Sequence, residues 1–110
     1  MISQAQAVIA AAMTERELRD YVVDAARKLG WLEYHTWASI HSPAGCPDLI
    51  LCRWNAYRGR LLFAELKSAK GMISPAQEAW LAALRSVRKV EVYLWRPADW
   101  VSGAIAEVLR

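Results

Sequence analysis

The chain has 110 residues, which is enough for one ordinary domain and too few for a second independent core. Hydrophobic residues make up 55% and charged residues 23% of the chain, a balance that excludes a disordered protein. The net charge of +3 is compatible with a nucleic-acid partner but is too small to establish one.

Targeting signals and cysteine chemistry are not indicated by the sequence. Residues 1–13 lack the basic start and long apolar core of a signal peptide, and no stretch approaches the ~18 apolar residues of a membrane span. We therefore expect a cytoplasmic protein. Cys46 and Cys52 are too few for a disulfide framework or a zinc site, so we expect two reduced, partly buried thiols.

The first predicted helix covers residues 14–29. Thr14 and Glu17 have the spacing of a capping box. Apolar residues then recur at helical spacing at Leu18, Val22, Ala25, Ala26 and Leu29. Gly30 is expected to end the helix at the C′ position. Residues 1–13 show no clear period, and we expect an N-terminal arm or a helix extension before a single domain at 14–110.

Three strands are predicted after this helix, at residues 31–38, 48–54 and 60–67. A loop at 42–47, with two prolines and a glycine, separates the first two strands. A short polar turn at 55–59 separates the second and third, which should therefore form an antiparallel hairpin.

A second long helix is predicted to begin at Ser74-Pro75-Ala76-Gln77, where serine is the N-cap, proline is at N1 and glutamine at N3. Its predicted apolar stripe consists of Ala79, Trp80, Ala83, Leu84 and Val87. A strand at 90–95 follows, Pro97 breaks it, and a short helix should extend to Leu109. The predicted order is α-β-β-β-α-β-α, an α/β fold with a mixed sheet flanked by helices.

Three charged residues are expected to converge at one end of the hairpin. Asp48 opens its first strand and Glu65 and Lys67 close the second, and in an antiparallel pair these ends adjoin. Glu65 and Lys67 are two positions apart and so project from the same face. Paired carboxylates repel, and a Mg²⁺ or Mn²⁺ ion would relieve that repulsion and could activate water against a phosphodiester. The alternative is a solvated salt-bridge cluster at a sheet edge.

Three sequence blocks resemble the VRR-NUC family, the virus-type replication-repair branch of the PD-(D/E)XK nucleases. The blocks are Gly45-Cys46-Pro47-Asp48-Leu49-Ile50, Phe63-Ala64-Glu65-Leu66-Lys67-Ser68 and Ser74-Pro75-Ala76-Gln77-Glu78-Ala79-Trp80-Leu81. The resemblance extends over residues 14–100 and implies a restriction-endonuclease-like core that hydrolyses phosphodiester bonds in DNA. It also implies that Asp48 and Glu65 bind metal, that the backbone carbonyl of Leu66 adds a ligand, and that Lys67 is catalytic.

The same resemblance suggests further site residues. A glutamine at the start of the second long helix makes Gln77 a candidate, although it could merely complete the cap with Ser74. Related first helices often supply an acidic group eleven or fifteen residues before the closing glycine. Those positions are Arg19, which departs from the pattern, and Glu15, a candidate metal ligand. DNA contacts are expected from His41, Ser42 and Lys70, because they lie near Asp48 or Lys67 in the sequence.

The expected function is Mg²⁺- or Mn²⁺-dependent cleavage of branched DNA, such as a Holliday junction, in a phage or mobile-element setting. A domain this small has little surface for reading a long sequence, so structure should direct cleavage. Two symmetric incisions would require a homodimer, for which residues 8–13, 104–109 and the six tryptophans offer apolar surface. The rivals are a non-catalytic DNA-binding module of the same fold and a small structural protein with a charged surface cluster.

Overall fold

A computed structural model describes residues 1–36 and 44–110. The chain forms five helices and four strands within these ranges: α1 (Gln4–Ala12), α2 (Glu15–Lys28), β1 (Leu32–His35), β2 (Leu49–Arg53), β3 (Arg60–Leu66), α3 (Pro75–Arg85), β4 (Val90–Trp95), α4 (Pro97–Val101) and α5 (Ala104–Leu109). The predicted mixed α/β architecture is confirmed. Within the described ranges, every helix is too short or too polar to cross a membrane.

The strands form one sheet in the order β1-β2-β3-β4. The β2 and β3 strands pair antiparallel, as the polar turn predicts, with Leu49 opposite Ala64 and Arg53 opposite Arg60. The β1 strand pairs antiparallel with β2, whereas β4 pairs parallel with β3. The hairpin is therefore in the middle of the sheet.

The main core lies between one face of the sheet and α2, α4 and α5. Alternate residues of β2 and β3 point into it, including Leu49, Leu51, Leu62, Ala64 and Leu66, all at most 1% exposed. The α2 helix begins at the predicted Thr14–Glu17 capping box, and Gly30, at φ +88°, follows its C-cap residue Leu29. Leu29 itself is 43% exposed and does not belong to the buried stripe.

The α3 helix packs near β4 on the opposite face of the sheet. Its predicted stripe is wrong in part: Ala79, Ala83 and Val87 are exposed and Trp80 is 38% exposed, whereas Leu81 is buried. The inward face instead carries Gln77, Leu81 and Leu84, because the polar Gln77 side chain is directed toward Glu65. The helix ends at Arg85, so Val87, the last residue of the predicted stripe, lies beyond it.

Both ends of the chain differ from the simplest expectation. Residues 4–12 form a separate helix, which is capped by Ser3. The Gln6 side chain of this helix donates a hydrogen bond to the Val101 carbonyl at 3.0 Å. The predicted final helix is two helices, α4 and α5, because Gly103 adopts φ +86° between them. Ile105 and Leu109 are fully buried in the core, so this stretch supplies little of the exposed surface expected for a dimer.

Candidate active site

Asp48 and Glu65 meet at the open end of the β2–β3 hairpin. The last paired residues are Leu49 and Ala64, which places Asp48 and Glu65 at the next step of the register. The Asp48 side chain is fixed there, because its Oδ2 atom accepts a hydrogen bond from the Leu66 backbone N–H at 2.9 Å. The hairpin thus brings together two carboxyl groups that are 17 positions apart in the sequence.

The Glu65 carboxyl group is buried without full hydrogen bonding. Glu65 is 1% exposed, and its Oε2 atom has no hydrogen-bond partner among the described residues. Burial, followed by interaction with the Asp48 carboxyl group, raises the pKa of Glu65 to about 9, while the Lys67 charge acts in the opposite direction. A buried carboxyl group with an unpartnered oxygen is costly for folding and is typical of a functional site.

Lys67 and Glu15 also face this end of the sheet. Lys67 follows β3 directly, and its backbone N–H donates to the Trp95 carbonyl at 3.1 Å. The pKa of Glu15 is raised, first by partial burial and then by the negative charge of Asp48, whereas Lys67 lowers it. Glu15, Asp48 and Leu66 line one open cleft of about 430 Å³ between the start of α2 and the sheet. Glu17 instead caps Thr14, as the sequence predicts.

Gln77 links α3 to the acidic pair. Its Oε1 atom accepts from the Ser74 backbone N–H at 2.9 Å, which completes the helix cap. Its Nε2 atom donates to Glu65 Oε1 at 3.4 Å. The two interpretations of Gln77 are therefore compatible, because one end of the amide serves the helix and the other reaches the site.

The expected DNA contacts have less structural support. Lys70 is exposed in a turn at residues 68–71 that follows Lys67. His41 and Ser42 lie outside the described residues. Cys46 and Cys52 are free but exposed, which corrects the expected partial burial. The protein atoms around the Cys46 sulfur still desolvate it in part, and this effect, together with the charges of Glu65 and Asp48, raises the pKa of the thiol.

Two residues that the sequence did not single out hold loops at the site. Gly45 has φ +96°, and a Cβ atom there would lie 2.5 Å from the backbone of Ala76, so the loop before Asp48 packs directly on the first turn of α3. Arg96 donates from Nη1 to the carbonyls of Ser68 and Gly71, both at 2.8 Å. The position of Gly45 between two prolines could have indicated a tight turn before Asp48, whereas nothing in the local sequence indicated the Arg96 contacts.

The donor set fits a hard divalent cation. Asp48 and Glu65 offer carboxylate oxygens, one of them buried and unpartnered, and such ligands suit Mg²⁺ or Mn²⁺. No three His, Cys, Asp or Glu side chains of residues 1–36 and 44–110 converge closely enough to hold an ion. Solvent, backbone and substrate oxygens would have to complete the shell, which is how Mg²⁺ is commonly bound.

Comparison with known proteins shows the family of the chain. The chain is 38% identical over 72 residues, 63% of its length, to the Fanconi-associated nuclease 1 homolog of Arabidopsis thaliana, and it spans 8% of that protein. The model of the VRR-NUC domain matches residues 3–97, a range that includes Glu15, Asp48, Glu65, Lys67 and Gln77. The chain therefore belongs to the VRR-NUC domain family.

Proposed function

We propose that this protein is a metal-dependent endonuclease that hydrolyses phosphodiester bonds in branched DNA. The observation that carries the proposal is the buried Glu65 carboxyl group, which has an unpartnered oxygen and lies beside Asp48. A group in this condition destabilises the fold unless it serves a ligand, because burial disfavours its charge. Mg²⁺ or Mn²⁺ is the ligand that its oxygens favour.

Each side chain then has a distinct task. Asp48 and Glu65 would hold the cation together with the Leu66 carbonyl, while Gln77 orients the Glu65 carboxyl group by donating to its Oε1 atom. The bound cation would lower the pKa of a water molecule and offset charge on a phosphate oxygen. Lys67 would orient that water or stabilise the charge that develops on the phosphate in the transition state. Glu15, which lines the same cleft as Leu66, would hold a further water molecule.

Branched DNA is the substrate class that we favour. The cleft at Asp48 is open, and a domain with a radius of gyration of 14.1 Å has little surface with which to read an extended base sequence. Paired cuts in a four-way junction would require a homodimer with two-fold symmetry. Val8, Ile9 and Trp54 are 66%, 55% and 82% exposed, so apolar surface for such an association remains on the chain.

A cleavage panel tests the proposal. Four-way junction, flap, single-stranded and duplex DNA, labelled on each strand, are incubated with protein and Mg²⁺ or Mn²⁺, and then with EDTA. We expect cutting of the branched substrates that EDTA stops and that Asp48→Asn, Glu65→Gln and Lys67→Ala each reduce by at least about 100-fold. Cutting that persists in EDTA and in Asp48→Asn would refute the mechanism.

Calorimetry separates a nuclease from a non-catalytic module of the same fold. Titration of Mn²⁺ should show a site in the wild-type protein that disappears in Glu65→Gln. Absence of this site in the wild type, together with intact DNA binding, would favour the DNA-binding module. Sedimentation at micromolar concentration tests the dimer, since a single species near 12.4 kDa would exclude it.

A further inference from the structure

A second cleft adjoins the active-site cleft along α2. It has a volume of about 420 Å³ and is lined by Arg16, Arg19, Asp20, Val23, Asp24, Arg27 and His35. We call this cleft the α2 groove. Arg16 and Arg19 also line the cleft that holds Glu15, Asp48 and Leu66. The two clefts therefore form one path that begins at the acidic pair and follows the helix, with the two arginines where they meet.

The charges at the far end of the α2 groove are paired within the protein. Arg27 forms an ion pair with Glu33, which also bonds to His35 Nδ1 at 2.9 Å. Asp24 is 2.9 Å from Lys28 Nζ. An anionic ligand gains little at this end, because its cations already have partners.

At the end of the α2 groove next to the active-site cleft, the positive charges are less well paired. Across residues 1–36 and 44–110, Arg16 forms no ion pair, and the only ion pair of Arg19 is a loose one, 3.9 Å from the 69% exposed Asp20. Neither arginine pairs with Glu15, although Arg19 lies close enough to lower its pKa. Arg16 and Arg19 are three positions apart and so share one helix face, and the Arg19 side chain is only 23% exposed.

We propose that Arg16 and Arg19 bind two backbone phosphates of the DNA strand next to the phosphate that is cleaved. This inference rests on the proposed function, because it takes DNA as the ligand. Guanidinium groups match phosphate oxygens in a bidentate geometry, and both arginines line the path that leads to Asp48. The paired charges beyond Asp20 limit this interaction to a short stretch of strand.

The test measures DNA binding without cleavage. Anisotropy of a labelled flap DNA is recorded in EDTA over a range of NaCl concentrations for the wild type, Arg16→Gln and Arg19→Gln. Each variant should bind about 5–10-fold more weakly near 0.1 M salt, and the slope of log K against log [salt] should fall by about one for each phosphate that is no longer bound.

A control of equal charge is available at Arg58. It is exposed at the hairpin turn, at the opposite end of β2 and β3 from Asp48, and Arg58→Gln should leave both the affinity and the slope nearly unchanged. Arg19→Lys should retain the slope, which separates loss of charge from a folding defect. Thermal melts of all the variants complete this control.

The outcomes separate this inference from the proposed function. If the wild type cleaves DNA but Arg16→Gln and Arg19→Gln retain its affinity and salt slope, the α2 groove is not the phosphate path and the inference fails alone. If the arginine variants show a smaller salt slope but the wild type never cleaves DNA, the phosphate contacts of Arg16 and Arg19 are supported and the nuclease proposal fails. An equal loss in Arg58→Gln would show an effect of net charge only and would overturn the inference.

Discussion

Replacement of Glu65 by glutamine should make the metal-free protein more stable while abolishing its activity. The carboxyl group is 1% exposed, its Oε2 atom has no partner among the described residues, and Asp48 repels its charge. Glutamine has nearly the same shape and is neutral at every pH, so it resembles protonated Glu65. At pH 7 the folded protein keeps Glu65 protonated, whereas the unfolded chain releases that proton, and the substitution removes the free-energy cost of taking the proton up on folding.

The magnitude follows from the pKa of Glu65, which rises from 4.5 to about 9 on folding. Because the folded-state value is the higher one, the stability contributed by the protonated group is complete below pH 4.5 and is lost as the pH rises toward 9. Each pH unit in that interval corresponds to about 1.4 kcal/mol. At pH 7, Glu65→Gln should therefore raise the free energy of unfolding by about 3 kcal/mol, or the Tm by about 12 °C.

The assay is urea unfolding of both proteins in EDTA between pH 4 and pH 8. The difference in stability should be near zero at pH 4 and grow as the pH rises, because unfolding of the wild type above pH 4.5 releases the Glu65 proton, whereas the Glu65→Gln protein has no such proton to release. Glu78→Gln, which removes an exposed charge from α3, is the matched control and should change stability by less than about 0.5 kcal/mol. Added Mn²⁺ should stabilise the wild type and not Glu65→Gln.

A pH-independent difference, or a destabilised Glu65→Gln protein at pH 7, would refute the reasoning. The first result would mean that Glu65 keeps an ordinary pKa in the folded protein. The second would mean that its carboxylate has favourable partners that outweigh its burial.

Four further substitutions test individual contacts that hold the fold and the site. Gly45→Ala should cost about 3 kcal/mol in unfolding experiments, because the new Cβ atom would meet the Ala76 backbone at 2.5 Å. Gly103→Ala, also at positive φ but with nothing within 4 Å, should cost only about 1 kcal/mol, and equal losses would contradict the packing argument. Arg96→Lys should lower the single-turnover cleavage rate about 10-fold with little change in DNA affinity, because a guanidinium group would no longer hold the carbonyls of the turn after Lys67. An unchanged rate would exclude this positioning role. Trp31→Phe should lower stability by about 1 kcal/mol in urea melts, because the indole N–H donates to the last carbonyl of α5 at 2.9 Å, and no loss would show that water replaces this bond.

The sequence predicted the centre of the site well because local rules determine it. Strand patterning and the polar turn predicted the hairpin, and antiparallel pairing then required Asp48 and Glu65 to adjoin. The capping residues predicted where α2 and α3 begin, and Ser74 and Gln77 do form the expected cap. The Mg²⁺ or Mn²⁺ cofactor, the branched substrate and the homodimer remain predictions.

What the sequence could not supply depends on contacts between distant segments. The inward face of α3 was misassigned because periodicity ranks Ala79 and Val87 above a polar Gln77, whereas the acidic site draws Gln77 inward. The Arg96 contacts join residues 25 to 28 positions apart, and no local pattern encodes them. The groove at Arg16 and Arg19 likewise exists only because α2 lies against the sheet.

The two ends of the β2–β3 hairpin show how structural and functional charges can be distinguished. At the turn end, Arg53 and Arg60 flank the Trp31 ring at 4.6 and 4.9 Å and donate to the α5 carbonyls of Leu109 and Val108, both at 2.9 Å. Arg60 also pairs with Glu91 through two hydrogen bonds, which lowers the pKa of that carboxyl group.

Charges with this many internal partners stabilise the fold and have little capacity left for a ligand. At the opposite end, the Glu65 carboxyl group is buried with its Oε2 atom unpartnered among the described residues, beside the carboxyl group of Asp48. A hairpin locked at one end can tolerate this unfavourable pair at the other, because the interactions that hold its strands together do not depend on the state of the site. The contrast in partners within one hairpin therefore supports our proposal that a ligand binds at the Asp48 end.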